Sequence, residues 1–280
     1  MNNNNFMTVE GFTLELTDNE QACGVITIDL KEQSSSYGFI TLGPGSHGRV
    51  VVNYPKASSA VTMDVRVERN AVLELVVVAD SGADVKSTVR TVLQRDSQFT
   101  MTTIDLKNSS LERHHTVLLE QTGAQCTLSG LFVAGAEQSV ENYIKVVHNA
   151  AGCTSNQNFK GIAAATGRGL FAGHIYVAKD AQQTMAMQQN HNILLSDLAR
   201  IQSRPWLEIY ADDVKCNHGA TVGRLDAEAI FYMRQRGISE AAARAVQIEG
   251  FAEDVVRVEN VGELQGELHQ RIARRISELW

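Results

Sequence analysis

The chain has 280 residues, a formal net charge of −7, and is 44% hydrophobic and 20% charged. That length holds one large domain or two small ones, with enough apolar residues for a core. The acidity argues against a nucleic-acid groove or an anionic membrane surface as the main partner, and no apolar run approaches the ~20 residues that span a bilayer.

The start, Met1-Asn-Asn-Asn-Asn-Phe6, has no basic stretch followed by an apolar one, so no secretory signal is read there and the cytoplasm is expected. Residues 1–20 are set apart as an N-terminal segment. The first clear strand is Gly24-Val-Ile-Thr-Ile-Asp29, and a β core is expected over 21–222. The four cysteines, Cys23, Cys126, Cys153 and Cys216, form no close pair. Neither a disulfide framework nor a self-contained zinc site is expected from them.

From residue 71 onward the chain repeats. Lines begin at Ala71, Ser97, Ala124, Ala151, Ala181 and Pro205, separated by 26, 27, 27, 30 and 24 positions. Each follows a polar or Gly-containing corner such as Arg69-Asn70, Arg95-Asp96 or Thr122-Gly123. Between the lines run second strand-like stretches, among them Asp84–Leu93 and Ser139–His148, whose Val, Ile and Thr residues tend to alternate with polar ones. Such a unit cannot bury its inner face alone, but stacked copies can. A parallel β-helix is the natural solution, and an antiparallel sandwich with similar strand spacing is the alternative. On a fixed period Cys126 and Cys153 fall at one repeat position, as a stack of small side chains or as two stations of a sulfur relay.

After Thr221 the pattern changes to helical. Asp226 reads as an N-cap flanked by Leu225 and Ile230, Gly237 as the residue ending that helix, and Ser239 as the cap of a second. A third helix carries Leu264, Leu268, Ile272 and Ile276 at four-residue steps. A helical subdomain is therefore expected over 223–280, closing the open end of the solenoid.

The densest concentration of chemistry lies in Leu207-Glu-Ile-Tyr-Ala-Asp-Asp-Val-Lys-Cys-Asn-His-Gly-Ala-Thr-Val-Gly-Arg-Leu-Asp226. A strand-like run ends in Cys216 and His218, followed by a Gly-Ala-Thr-Val-Gly turn. A thiolate and an imidazole two residues apart on an extended strand share one face and can address one metal. A buried Cys beside a hydrogen-bonded His is the plain alternative. Asp212 and Asp213, being adjacent, point to opposite faces, poor geometry for a β-helix carbohydrate enzyme with paired carboxylates. His114-His115 can turn at most one ring inward, and His148, His174 and His191 read as polar members of β lines. No phosphate-binding loop ends in Gly-Lys-Ser/Thr, so the chain does not read as an ATPase.

This stretch, with Ala229-Ile-Phe-Tyr-Met-Arg-Gln-Arg-Gly-Ile238 and Gln189-Asn-His-Asn-Ile-Leu-Leu-Ser196, closely resembles the SufB/SufD family, scaffold subunits of the SUF iron–sulfur cluster assembly machine. The specific part covers about residues 185–250. Gly219 stands where SufB-type chains carry Glu after the histidine, which places the resemblance on the SufD side. It implies a right-handed parallel β-helix with a C-terminal helical subdomain, acting as a non-catalytic scaffold. It implies a nascent iron–sulfur cluster shared between subunits, held here by Cys216 and His218, with the remaining ligands from a SufB-type subunit or a second copy. It also implies a separate ABC-type ATPase, SufC, docking on a surface that includes Phe231, Tyr232, Arg234, Arg236 and Gly237. Family members usually carry a long helical region before the β-helix; the β pattern here starts within the first thirty residues, so a short form is expected.

Overall fold

A two-strand unit has no partner for its backbone N–H and C=O groups within itself, and here each unit finds one in the next. The structure, a computed structural model, describes residues 5–22, 24–255 and 263–279, with side chains for all of these except residues 5–8, 263 and 264. Cys23 and the Leu264 side chain lie outside the described residues. One sheet has nine strands: β1 (Asn5–Val9), β3 (Ile26–Leu30), β5 (His47–Asn53), β7 (Val72–Ala79), β9 (Gln98–Asp105), β11 (Gln125–Ala134), β13 (Thr154–Ala163), β15 (Thr184–Leu194) and β17 (Val214–Gly223), hydrogen-bonded in that order. The other has eight: β2 (Phe12–Leu16), β4 (Ser35–Leu42), β6 (Ser59–Val67), β8 (Asp84–Leu93), β10 (Ser110–Leu119), β12 (Ser139–His148), β14 (Arg168–Val177) and β16 (Arg200–Ile209). Every strand pairs in parallel with the strand two places away in sequence. This is a two-sheet parallel β-solenoid, and it excludes the antiparallel sandwich. The segment 1–20 holds β1 and β2, the first strand of each sheet.

The repeat is not of constant length. Val72, Gln98, Gln125, Thr154, Met185 and Lys215 stand side by side, so successive coils hold 26, 27, 29, 31 and 30 residues. The extra residues sit in the corners. One left-handed residue marks each of the corners entering β7, β9, β11, β13 and β15: Asn70, Asp96, Gly123, Gly152 and Gln183, with φ between 56° and 78°. The next position is filled by Ala71, Ser97, Ala124, Cys153 and Thr184, all with 0% exposure. The corner can turn tightly only if that side chain is small. Cys153 therefore stacks above Ala124, while Cys126 pairs with Phe99 below and Ser155 above. The two thiols do not share a repeat position. The line placed at Pro205 is likewise displaced: it lies inside β16, and the strand that continues the nine-stranded sheet is β17.

The lumen is apolar over the first coils, with Ile28, Ile40, Leu42, Val52, Met63 and Leu73 fully buried. Toward the C-terminal end it turns polar. Asp105 and Arg113, each almost wholly buried, form a two-pronged ion pair at 2.8 and 3.2 Å. His115 meets the Thr91 hydroxyl at 3.1 Å, and His148 meets that of Ser155 at 2.8 Å. Of His114 and His115, the second points inward and the first outward.

Three helices follow: α1 (Ala227–Gln235), α2 (Glu240–Glu253) and α3 (Glu263–Ser277). Asp226 and Ser239 cap the first two as expected, and Gly237 has φ 85°. The helices do not close the end of the solenoid. α2 and α3 lie along the outer face of the nine-stranded sheet, where Ile248, Leu268, Ile272 and Ile276 pack on Val51, Val76, Val78, Ile104, Leu131, Val133 and Ile162. Those strands read Leu-Val-Val-Val-Ala and Leu-Phe-Val-Ala over their second halves because both of their faces are covered there. Buried Arg275 donates to the carbonyl of Leu106 at 2.7 Å, and Lys160 reaches the Phe251 carbonyl and Asp254 at 2.9 and 2.8 Å. The outer edges of β16 and β17 are left without a neighbouring strand among the described residues.

Burial holds the His115 and His148 rings neutral, lowering their pKa to about 3 and about 4, with the Arg113 charge adding to the effect at His115. The unfolded chain protonates both near 6.5, so this contribution is present above 6.5 and is lost as pH falls toward 4. Burial raises Asp105 to about 6 against the pull of Arg113. Its contribution runs the other way, fading as pH rises from about 4 to 6, and offsets one of the two histidines. Denaturant stability is expected to fall between pH 7 and pH 4.5, and His148→Gln should lessen that fall by about 2 kcal/mol. An unchanged pH dependence in the variant would contradict the assignment.

Candidate metal centre at the open end of the solenoid

β17 places Cys216 and His218 in mid-strand, not at a strand end, and the Gly219–Gly223 stretch continues that strand instead of turning. Asp212 and Asp213 lie in the corner before β17, both exposed. The register decides which face the pair uses. Cys216 stands beside Ala186, and His218 beside Gln188, both buried in the lumen. Since neighbours in a parallel ladder face the same way, the Cys and His side chains line the lumen wall of the last coil, about 7 Å apart at Cα. No further coil covers them, so His218 is exposed and Cys216 only partly buried.

Across the lumen, Ile201, Ser203, Pro205, Leu207 and Ile209 of β16 continue the inward columns of β14. Cys216 packs with Leu207, Val214, Ala186, Ile175 and Val177. That apolar company raises its thiol pKa by desolvation, offset in part by a backbone hydrogen bond from Ala186. The Cys216 thiol is therefore a weaker acid than an exposed cysteine. Cys126 is pushed up much further by full burial, and Cys153 is raised too. Cys126 lies three coils below Cys216 in one column, through Ser155 and Ala186, roughly 14 Å at strand spacing. No ladder of thiols connects them.

Three outward-facing histidines have local partners. His174 stacks on Trp206 at 4.2 Å and meets Glu208, His114 stacks on Tyr143 at 4.7 Å, and His191 bonds the Thr221 hydroxyl at 2.8 Å. Among the described residues, no three His, Cys, Asp or Glu side chains converge as a metal site.

The interior amides beneath the pair escaped the reading of the sequence. Gln157, Gln188, Asn190 and Asn192 are all buried. Gln188 donates to Gln157 at 3.0 Å, Asn190 to the Phe159 carbonyl at 3.1 Å, and Asn192 to the Thr221 carbonyl at 3.1 Å. Their signal was present: three polar residues at alternate positions, Gln188, Asn190 and Asn192, lie on the face that β9 and β11 fill largely with apolar groups.

The helical residues form a second patch. Helix α1 buries none of its side chains, and Phe231 and Tyr232 are 62% and 59% exposed, so neither packs it onto the solenoid. The helix is held through a reciprocal clamp, in which Gln247 accepts from the Asp226 amide at 3.0 Å and donates to the Asp226 carbonyl at 2.9 Å. The Arg236 guanidinium lies 4.8 Å from the Tyr232 ring centroid and bonds its hydroxyl, while Arg234 pairs with Glu240 at 3.2 Å. Gly237 follows as the left-handed turn residue.

Comparison with known proteins points one way. The family model described as SUF system FeS cluster assembly, SufBD core domain, matches residues 25–251. The iron–sulfur cluster assembly protein SufD of Escherichia coli (strain K12) is 43% identical over 129 residues, covering 46% of this chain and 30% of that protein. An iron–sulfur cluster assembly SufBD family protein of Synechocystis is 34% identical over 199 residues, covering 70% of this chain and 44% of that one. A chloroplastic protein of Arabidopsis thaliana, ABCI7, is 30% identical over 169 residues, 59% and 36% of the two chains. The chain spans less than half the length of each of these relatives.

The thiol environments set an order of reactivity among the described cysteines. Under native conditions iodoacetamide should modify Cys216 first, more slowly at pH 7 than a free peptide cysteine, while Cys126 and Cys153 react only on unfolding. Peptide mapping that finds Cys126 alkylated ahead of Cys216 would contradict the burial described.

Proposed function

This chain belongs to the SUF-system SufBD core family, and from that premise we propose that it is a scaffold subunit on which nascent iron–sulfur clusters are assembled. The observation that carries the reading is the last coil. A thiol and an imidazole line the lumen at an end where two sheets stop with unpaired edges. Iron–sulfur clusters are generally held by about four ligands, with thiolates the usual donors and imidazoles an alternative. Cys216 and His218 supply two, so the cluster is cargo shared with a second subunit that brings the others. That subunit is a SufB-type chain, or a second copy of this chain in a minimal homodimer. Edge strands invite pairing, so the same contact that satisfies β16 and β17 brings the two half-sites together.

Energy for the cycle comes from a SufC-type ABC ATPase, and α1 is its docking surface on this reading. A nine-residue helix with no fully buried side chain draws little stability from packing, which suits a surface completed by a partner. Phe231, Tyr232, Arg234, Arg236 and Gly237 form that surface. The chain acts without catalysis of its own, in a reducing cytoplasm that keeps Cys216 a thiol.

Two measurements check the reading. Iron and sulfide in the anaerobically purified complex are expected to drop severalfold in His218→Ala, and by a similar or smaller factor in Cys216→Ser, with circular dichroism unchanged. Unchanged metal content in the double variant would remove the role. Tyr232→Ala with Arg236→Ala should weaken ATPase capture at least tenfold; capture that survives both changes would move the docking site elsewhere.

A further inference from the structure

We propose that Gln188 is a positioning residue for His218: its side-chain carbonyl accepts the His218 Nδ1–H, leaving Nε2 as the nitrogen turned outward to a ligand. The inference rests on the reading of His218 as a ligand, and it begins from an imbalance inside the lumen. Gln188 is 1% exposed and its amide nitrogen is committed to the Gln157 carbonyl at 3.0 Å. Its carbonyl oxygen is fully buried and has no hydrogen-bond partner among the described residues. A buried amide oxygen left unpaired costs on the order of 1–3 kcal/mol, so a site that keeps one has a use or a missing partner.

The neighbours of Gln188 leave one candidate on its open side. On the coil below, the Gln157 carbonyl accepts from the Gln188 amide, while the Gln157 amide nitrogen makes no bond to the Gln188 carbonyl and is itself unpaired among the described residues. Across the lumen is Gly173, where even a Cβ would lie 2.2 Å from the Gln188 amide nitrogen. Above Gly173 stands Pro205, which carries no N–H. On the coil above Gln188 itself, in register and on the same face, is His218. Parallel coils stand about 4.8 Å apart, the spacing at which stacked polar side chains hydrogen-bond from one strand to the next. Of the two ring nitrogens, Nδ1 is nearer the backbone and so nearer the neighbouring coil, while Nε2 lies on the far side of the ring. An acceptor beneath Nδ1 selects the tautomer with the proton on Nδ1 and a lone pair on Nε2. That is the form that binds a soft metal ion through Nε2, with its orientation fixed by the bond.

The chain Gln157–Gln188–His218 thus runs as a directed column through three coils. Gly173 belongs to it by absence: any larger residue would displace the amide from the column. The column does not hold the metal. It settles which face of His218 the metal meets, before iron arrives.

The test is made on the full chain without metal. With ¹⁵N-labelled histidine at pH 8, the ring nitrogen shifts report the tautomer, and His218→Ala identifies the signal. The expected result is Nδ1–H for His218 in the wild type, reverting in Gln188→Met to the Nε2–H form that free imidazoles prefer. Gln188→Glu, which keeps an acceptor, should restore Nδ1–H, with Gln157 turning its amide to donate. A wild-type His218 found as Nε2–H overturns the proposal whatever the variants do, as does a tautomer unchanged in Gln188→Met. In the assembled complex, Gln188→Met is expected to lower iron affinity roughly 10-fold, the scale of an outer-shell loss. The two claims fail separately. If the tautomer follows Gln188 but His218→Ala leaves the cluster intact, the positioning stands and the ligand role falls.

Discussion

Everything in this molecule depends on backbone pairing between successive coils in strict register. Each coil satisfies its N–H and C=O groups only through the coil on either side, so stability is a property of the stack and not of any unit. The same rule fixes where the chemistry can be. Inside the stack every strand edge is paired; at the last coil the edges of β16 and β17 are not, and the lumen is open above Cys216 and His218. An exposed Cys–His pair and an open strand edge occur together because both arise from stopping the solenoid there.

Register also carries the polar lumen. A single-residue slip would turn the whole inward set to solvent, so residues such as Gln188 and His218 meet only because ten consecutive pairs of β15 and β17 hold them opposite one another. The shift from an apolar to a polar interior along the axis is costly unless each group finds a partner. Several groups do so in part or in full: Asp105 accepts from Arg113, one nitrogen of His148 meets Ser155, and Asn190 and Asn192 bond each other. The exceptions among the described residues include the Gln188 carbonyl and one nitrogen each on Gln157 and His148 in the coils below the open end, and the Ser59 hydroxyl and Arg113 Nε in earlier ones. The helices α2 and α3 leave this end free by folding back along the nine-stranded sheet, where the doubly buried Val and Leu runs receive them.

Much of this was legible in the sequence. The two-strand repeat, the strands Asp84–Leu93 and Ser139–His148, and the caps Asp226 and Ser239 all stand where the pattern put them. The misplacements share one cause. A near-constant period sets Cys153 over Cys126 and makes Pro205 the start of a line, whereas corner length varies from coil to coil. Corner length is set by how small residues such as Ala124 and Cys153 tuck under a left-handed turn, which no periodicity reveals. The helices were assigned to the wrong surface because their apolar stripe says that they are covered, not by what. The continuous apolar halves of β7 and β11 held that answer. The family resemblance supplied the meaning of Cys216 and His218, and their shared lumen wall came only from the register.

The most direct test is amide hydrogen exchange along Val214–Gly223, first in the dilute chain alone and then in the assembled complex. Edge amides of β17 should exchange fast in the isolated chain, far faster than those of β11, and become protected by at least tenfold on assembly, with Cys216 and His218 inside the protected stretch. Protection already complete in the dilute chain, or none gained in the complex, would show that the last coil is not the surface at which two subunits share a site.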